Sequence, residues 1–394
     1  MRRALLEKIL NQMLDAFPEG SDFILATGKP PQAEVFGELR PIGLEPPIES
    51  LTPFQTELIS LLILGTDRRL IRELLLHGAC DASFQLEGRA RFRVNIFSQK
   101  GAFSVVMRRL PAQVPTIDEL GLPPVFREMA REINGLILVT GATGSGKTTS
   151  LAALLDAVNE TRAVHVVTLE DPVEYVHPHK KATFTQRELG VDFDSFASGL
   201  RSALRQAPKV ILVGEMRDRE TVEIALNAAE TGHLVMSTLH TMSAGATVNR
   251  ILGMFDTEEE RQVRIRLAEA LRWIVCQRLV PKVGGGRVAA FEIMGTNLRV
   301  REAIIQGEAE GRTFQDMIEA SRHMGWVSFD SSVLELYEQG LITEETALSY
   351  GSKRAAVSRG IDQIKARRGE KILGGEELQL EIEGQRAPSG KPPR

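Results

Sequence analysis

Apolar residues at Leu5, Ile9, Met13 and Phe17 recur at helical spacing and predict a first helix. The pattern then turns to strands. Ser21–Leu25 reads as one. After the break at Pro30-Pro31, Ala33–Phe36 and Glu38–Ile42 read as a hairpin with Gly37 at the bend. Two helices follow within 53–64 and 67–77. Strands return at Ala82–Leu86, Arg91–Ser98 and Phe103–Arg108, with Gly88 and Gly101 in the turns. This mixture predicts a small α+β domain over residues 1–112. The stretch up to Leu122 carries Pro111 and Pro115, so residues 113–122 read as an interdomain linker.

From residue 123 apolar strands alternate with amphipathic helices, which predicts a mostly parallel sheet. A helix over Pro124–Ile133 precedes a strand at Leu136–Thr140. The strands Val164–Leu169, Val210–Val213 and Leu234–Thr238 follow, with helices at Phe193–Arg205 and Glu220–Glu230 between them. Gly232 closes the second of these helices. Beyond Glu259 the pattern turns helical, with Ile265, Leu267, Leu271, Ile274 and Val275 apolar. Gly284-Gly285-Gly286 marks a hairpin between Gln277–Val283 and Arg287–Met294, and more helices follow. The second domain is read as 123–365 with a helical C-terminal part. Residues 366–394, charged and then rich in proline, read as a disordered tail.

Composition adds exclusions. The 394 residues are 43% apolar and 25% charged, an ordinary globular mix. A net charge of −4 argues against nonspecific binding of nucleic acid. Two cysteines, Cys80 and Cys276, make neither a disulfide framework nor a zinc site and fit a reducing, cytoplasmic compartment. The start is unlike a signal peptide and no apolar run is long enough to span a bilayer, so a membrane role is expected only through partners.

The chemistry centres on Gly141-Ala142-Thr143-Gly144-Ser145-Gly146-Lys147-Thr148, which fits the phosphate-binding loop G-x-x-x-x-G-K-[ST]. A strand before it and a helix after it aim backbone N–H groups and a helix N-terminus at phosphates. Gly141, Thr143, Gly144, Ser145, Gly146, Lys147, Thr148 and Thr149 are the nucleotide-binding candidates. Lys147 would reach the β- and γ-phosphates, and the Thr148 hydroxyl would bind Mg²⁺. A glycine-rich turn that binds nothing is the alternative, and the filled motif between strand and helix outweighs it. Glu170 ends one strand of the sheet and Glu215 ends another, where carboxylates face the ligand crevice of an open α/β sheet. Glu215 therefore reads as the acid of a Walker B strand. His233 and His240 bracket a further strand. One histidine beside a strand is more often structural, but two on a nucleotide-binding sheet point towards phosphate sensing. Arg93 and Arg108 stand among apolar neighbours on expected adjacent strands, and taken alone they are solvated strand residues.

Four stretches then fall in order: Gly141–Thr148, Thr168–Tyr175, Val213–Asp218 and Glu230–Thr241. They resemble the Walker A, Asp, Walker B and His boxes of the secretion ATPase superfamily, and most of all its type IV pilus retraction ATPases, PilT and PilU. The resemblance spans about residues 1–350. It implies a small N-terminal α+β domain of PAS-like form and a RecA-like P-loop ATPase domain. It implies a homohexamer with ATP and Mg²⁺ between subunits, working at the inner face of the cytoplasmic membrane on an inner-membrane pilus platform protein, with a paralogous retraction ATPase as a further partner. Glu215 would polarise water, Glu170 would help place water or metal, His233 would sense the γ-phosphate, and Arg93 and Arg108 would reach the phosphates. Two departures stand out. Arg299–Gln306 keeps little of the helical motif A-I-R-N-L-I-R-E beyond Arg301, and Lys209 stands where an acidic residue is common. The rival readings are a pilus assembly or type II secretion ATPase, an accessory ring subunit with little turnover, and a small-molecule P-loop kinase, for which no second substrate signature is present.

Overall fold

The computed structural model describes residues 3–35 and 37–370. The N-terminal part folds as α1 (Arg3–Ala16), β1 (Asp22–Leu25), β2 (Gln32–Val35), β3 (Glu38–Pro41), α2 (Pro53–Leu64), α3 (Arg68–His77), β4 (Ala79–Leu86), β5 (Ala90–Gln99) and β6 (Ala102–Leu110). The strands form one antiparallel sheet in the order β3-β2-β1-β6-β5-β4. Alternate residues of β5, among them Phe92, Val94 and Ile96, are buried, as expected of a sheet with one face on a core. Thr52 and Gln55 cap α2 reciprocally, and Asp67 accepts from the Arg69 and Leu70 amides to start α3. The first helix differs from the sequence reading in its face. Leu6, Leu10, Met13 and Leu14 are buried while Leu5 is 43% exposed, so the core stripe is rotated by one position.

The second part runs α4 (Val125–Met129), β7 (Gly135–Thr140), α5 (Lys147–Thr161), β8 (His165–Glu170), β9 (Thr183–Glu188), α6 (Phe196–Ala203), β10 (Val210–Val213), α7 (Arg219–Glu230), β11 (Leu234–Leu239), α8 (Ala244–Leu252), α9 (Thr257–Ala270), β12 (Leu271–Pro281), β13 (Arg287–Gly295), α10 (Leu298–Gln306), α11 (Phe314–Ala320), α12 (Phe329–Glu338), α13 (Glu344–Tyr350) and α14 (Arg354–Arg368). The sheet order is β13-β12-β7-β11-β10-β8-β9, parallel from β12 through β9. Every residue of β7 and β11 is buried, because helices cover a parallel sheet on both faces. The mixed α/β class, with an antiparallel N-terminal sheet, a mostly parallel second sheet and a helical C-terminal part, matches the expectation.

Three local readings are corrected. Leu271, Ile274 and Val275 lie on strand β12, not on a helix, since α9 stops at Ala270. Their spacing suits a helical stripe, but a strand buried beside β7 shows the same run of apolar residues. Strand β9 escaped the reading because Thr183-Phe184-Thr185-Gln186-Arg187-Glu188 buries only Phe184 and lacks an apolar run. Residues 366–368, assigned to a tail, belong to α14; the tail from residue 371 lies outside the described residues.

The chain divides into two compact units. The first comprises Met1–Leu279 and Phe291–Ser328 and holds the antiparallel sheet and most of the parallel one, with residues 111–122 connecting them. The second comprises Val280–Ala290 and the chain from Phe329 on. There α12 is tied to the start of α14 by Asp330, whose carboxylate accepts from the Ser352 and Lys353 amides. Both cysteines are free and buried. No helix among the described residues is long and apolar enough to cross a membrane.

Candidate active site at the carboxyl end of the parallel sheet

The loop between β7 and α5 is shaped by close approach. Gly141 has φ 144°, and a Cβ there would lie 2.4 Å from the Gln277 carbonyl oxygen of β12. Gly146 has φ 86°, and its Cβ would meet the Gln277 carboxamide at 2.8 Å. Larger residues at either position would push the loop off β12. Gln277 also accepts from the Ser150 hydroxyl at 2.8 Å, so one residue braces the loop and the first turn of α5. The Ser145 hydroxyl is buried and has no hydrogen-bond partner among the described residues. An unspent donor in a glycine cradle at a helix N-terminus suits a phosphate. The Lys147 ammonium donates to the carbonyls of Gly141 and Ala142 at 2.9 and 3.0 Å. Burial lowers its pKa, and the Glu215 and Glu174 carboxylates oppose that shift.

The parallel register brings the acids to the same edge. Glu170 is the last residue of β8, and β10 lies beside it with Val213 opposite Leu169. The chain leaving β10 is held on both sides. The Gly214 amide donates to Leu169 O at 2.7 Å, and the Thr238 hydroxyl donates to Gly214 O at 2.6 Å. Glu215 follows, and its Oε2 lies 2.6 Å from the Arg217 guanidinium and 3.7 Å from His240 Nε2. Asp218 then caps α7 by accepting from the Thr221 amide and hydroxyl at 2.8 and 2.9 Å. Glu170 is buried and accepts from the Thr168 hydroxyl at 2.6 Å and the Gln186 carboxamide at 3.2 Å. Burial pushes its carboxyl up from the ordinary value, and those hydrogen bonds work the other way.

The segment after Glu170 bends back over the loop. The Thr148 side chain lowers the Glu174 pKa, and the Thr149 hydroxyl lies 3.1 Å from the Tyr175 hydroxyl. Burial raises the Glu174 pKa, against the pull of Arg93, the Thr148 hydroxyl, Arg108 and Lys147. The other sheet therefore reaches this site. Arg93 and Arg108 are direct cross-strand partners on β5 and β6, both exposed, and the Arg108 Nε donates to Asp22 at 2.8 Å. Arg93 acts electrostatically on Asp171 and on Glu174.

Of the residues singled out from sequence, the structure gathers Gly141 to Thr149, Glu170 and Glu215 at one edge, and Arg93 and Arg108 act on its carboxylates electrostatically. His233 is not brought there. It precedes the first residue of β11, whose register sets Leu234 beside Gly135 and Leu239 beside Thr140. It therefore sits at the sheet end opposite the loop, a strand length of about 20 Å away. Its Nδ1 lies 3.0 Å from Ala228 O, as part of the turn after α7. Within one chain His233 therefore lies away from the phosphate loop, and His240 stands at that edge. Lys209 is also at the far end, exposed, its amide donating to His165 O at 2.8 Å. The reading assigned no role to Glu174, Tyr175, Gln186 or Gln277. Glu174 was within sight, four residues after Glu170 in the same motif; Gln186 comes from a strand that the pattern hid, and Gln277 stood at the start of an expected hairpin strand with nothing to mark it for the site.

A family model described as Type II/IV secretion system protein matches residues 78–330. The type IV pilus retraction ATPase PilT of Pseudomonas aeruginosa is 43% identical over 327 residues, covering 83% of this chain and 93% of the relative. The type IV pilus ATPase PilU of the same organism is 37% identical over 345 residues, covering 87% and 88%. A crystal structure of the pilus retraction motor PilT with bound ADP superposes with a TM-score of 0.80 at 41% identity, covering 90% of this chain and 99% of that one. Matched by the family model over more than half its length and by relatives over most of it, the chain belongs to the Type II/IV secretion system protein family and is a P-loop ATPase.

Proposed function

We propose that this chain is the ATP-hydrolysing subunit of a homohexameric motor that powers type IV pilus retraction. The observation that carries the reading is the meeting, on one sheet edge, of the phosphate loop, Glu170, Glu174 and Glu215 with Arg93 of the other sheet. The loop amides and Lys147 hold the triphosphate. The Thr148 hydroxyl and the Glu174 carboxylate are hard oxygen donors that would hold Mg²⁺, which when bound neutralises phosphate charge. Glu215 orients the attacking water, and Glu170 helps to place it. Arg93 and Arg108 stabilise charge developing on the γ-phosphate, for which a planar fork of donors is suited. His240, beside Glu215, takes the sensing role.

Residues 1–112 and 123–365 act as the two moving domains, joined at 113–122. Hydrolysis changes the angle between them, and the ring passes that motion to an inner-membrane pilus platform protein. The chain works at the inner face of the cytoplasmic membrane, held there by partners, with a paralogous retraction ATPase among them. Purified chain should hydrolyse ATP with Mg²⁺ and form a hexamer, and a deletion strain should stop twitching while keeping surface pili. Absence of turnover, or a deletion strain that twitches normally, sinks the reading. An accessory ring subunit is favoured by one observation, the divergent Arg299–Gln306 stretch on α10. Steady-state turnover by the chain alone separates the two.

A further inference from the structure

Strand β9 carries no residue of the recognised motifs, yet its side chains hold the segment that follows Glu170. Gln186 is the centre of this. Its Nε2 donates to Tyr175 O at 2.7 Å and to Glu170 Oε1 at 3.2 Å, and its Oε1 accepts from the His177 amide at 2.8 Å. The partners fix which end of the carboxamide is which, because a backbone amide can only donate and a carbonyl can only accept. Two residues along the same face, Glu188 Oε2 accepts from the Val173 amide at 3.2 Å. Arg187 points elsewhere, its guanidinium lying 5.6 Å over the Phe193 ring. The backbone at 173, 175 and 177 is thus held by side chains of β9. What lies on that backbone matters for the chemistry: the Tyr175 hydroxyl meets Thr149, and Glu174 interacts electrostatically with Lys147 and Thr148 of the loop.

We propose that Gln186 is a positioning residue for hydrolysis: one carboxamide fixes the Glu170 carboxylate and the 173–177 backbone in a common frame, so that Glu170 and Glu174 face the phosphate loop together. The inference rests on the ATPase reading of the site. Gln186 acts through those two carboxylates. Its loss should therefore lower kcat more than it raises KM for ATP, since a shift of about 1 Å in catalytic groups costs on the order of a hundredfold.

The test uses two variants of the full chain. Gln186→Leu removes every hydrogen-bond function at similar size. Gln186→Glu keeps the acceptor for the His177 amide and turns a second carboxylate towards Glu170 and Tyr175 O. Both should lower kcat at least about tenfold with KM for ATP within about threefold. Hydrogen exchange of residues 172–178 should quicken in Gln186→Leu. Wild-type kcat in either variant overturns the proposal, as does a rise in KM with kcat intact or unchanged exchange in Gln186→Leu. A merely space-filling glutamine would leave Gln186→Glu near wild type. If the wild-type chain itself shows no turnover, the ATPase reading fails, and the exchange measurement still decides whether Gln186 holds the segment.

Discussion

His165 opens strand β8 and Glu170 closes it, and the two ends treat a polar side chain differently. His165 has both ring nitrogens engaged, 2.9 Å from Gln206 O and 2.9 Å from Thr185 Oγ1. At the same end His233 turns to Ala228 O, and the Arg162 guanidinium donates to Glu132 O at 2.7 Å. These groups close turns, and their partners are neutral. At the other end Glu170, Glu174, Glu215 and Lys147 face one another, and burial displaces the pKa values of Glu170, Glu174 and Lys147 towards their neutral forms. Charges kept close and partly desolvated cost stability, and such costs cluster where a ligand is handled. The amino end stabilises the sheet, while the carboxyl end carries the chemistry.

The largest effects should follow from charges removed at the carboxyl end. Glu215→Gln keeps the shape and should retain ATP binding while turnover falls about a hundredfold or more. Lys147→Ala should weaken nucleotide binding itself, read by fluorescence of a labelled nucleotide. Near-normal turnover in Glu215→Gln would remove that residue from the mechanism. Arg93→Ala and Arg108→Ala come next. Each should lower turnover at least about tenfold; Arg93→Ala should move stability by no more than about 1 kcal/mol because Arg93 is exposed, whereas Arg108→Ala also takes the ion pair from the buried Asp22 and should cost more. Lysine should rescue poorly at either position. Saturated turnover unchanged in both alanine variants would return the arginines to solvated strand residues.

The contrast between the two ends also explains what could be read from sequence. The loop, Glu170 and Glu215 were legible because each follows an apolar run that must be a strand, and ligands sit at the carboxyl ends of parallel strands. The histidines were not separable in this way: His233 and His240 flank the same strand, and only its direction in the sheet assigns them to opposite ends. Arg93 and Arg108 look solvated in any local pattern, and their approach to Asp171 and Glu174 is tertiary. Gln186 was hidden because an edge strand with one buried residue has no periodicity to detect. Gln277 stood on an expected hairpin strand, but its approach to Gly141 and Gly146 depends on that strand lying beside β7, which is tertiary.

A pH scan can sharpen the comparison through His177, on the segment that closes over the loop. It is buried, stacked on Phe184 at 4.6 Å, and burial holds its pKa down from 6.5 to about 4. Between those values the unfolded chain takes up a proton that the folded chain refuses. The contribution of His177 to stability is therefore full above pH 6.5 and declines as pH falls towards 4, by up to about 1.4 kcal/mol per pH unit. His177→Phe keeps a ring against Phe184 and removes the proton. Denaturant unfolding at neutral pH and near pH 5 should show a shallower loss in the variant, and equal losses would mean that His177 is not held neutral.

The smallest effects, and the most direct check on which end does what, belong to the histidine pair. His233→Ala removes the Nδ1 contact with Ala228 O, worth about 1 kcal/mol for one hydrogen bond, and should leave ATP turnover unchanged. His240→Ala should do the reverse. Its side chain is 46% exposed and makes no close ion pair, with Glu215 at 3.7 Å, so melting temperature should barely move while turnover falls severalfold. Turnover is to be measured at saturating ATP, well above the concentration at which the ring assembles, so that a loss of assembly is not counted as a loss of chemistry. A turnover defect in His233→Ala under those conditions would mean that the amino end of β11 reaches a nucleotide after all. Since the register of β11 against β7 keeps it from the loop of its own chain, that nucleotide would have to belong to a neighbouring subunit.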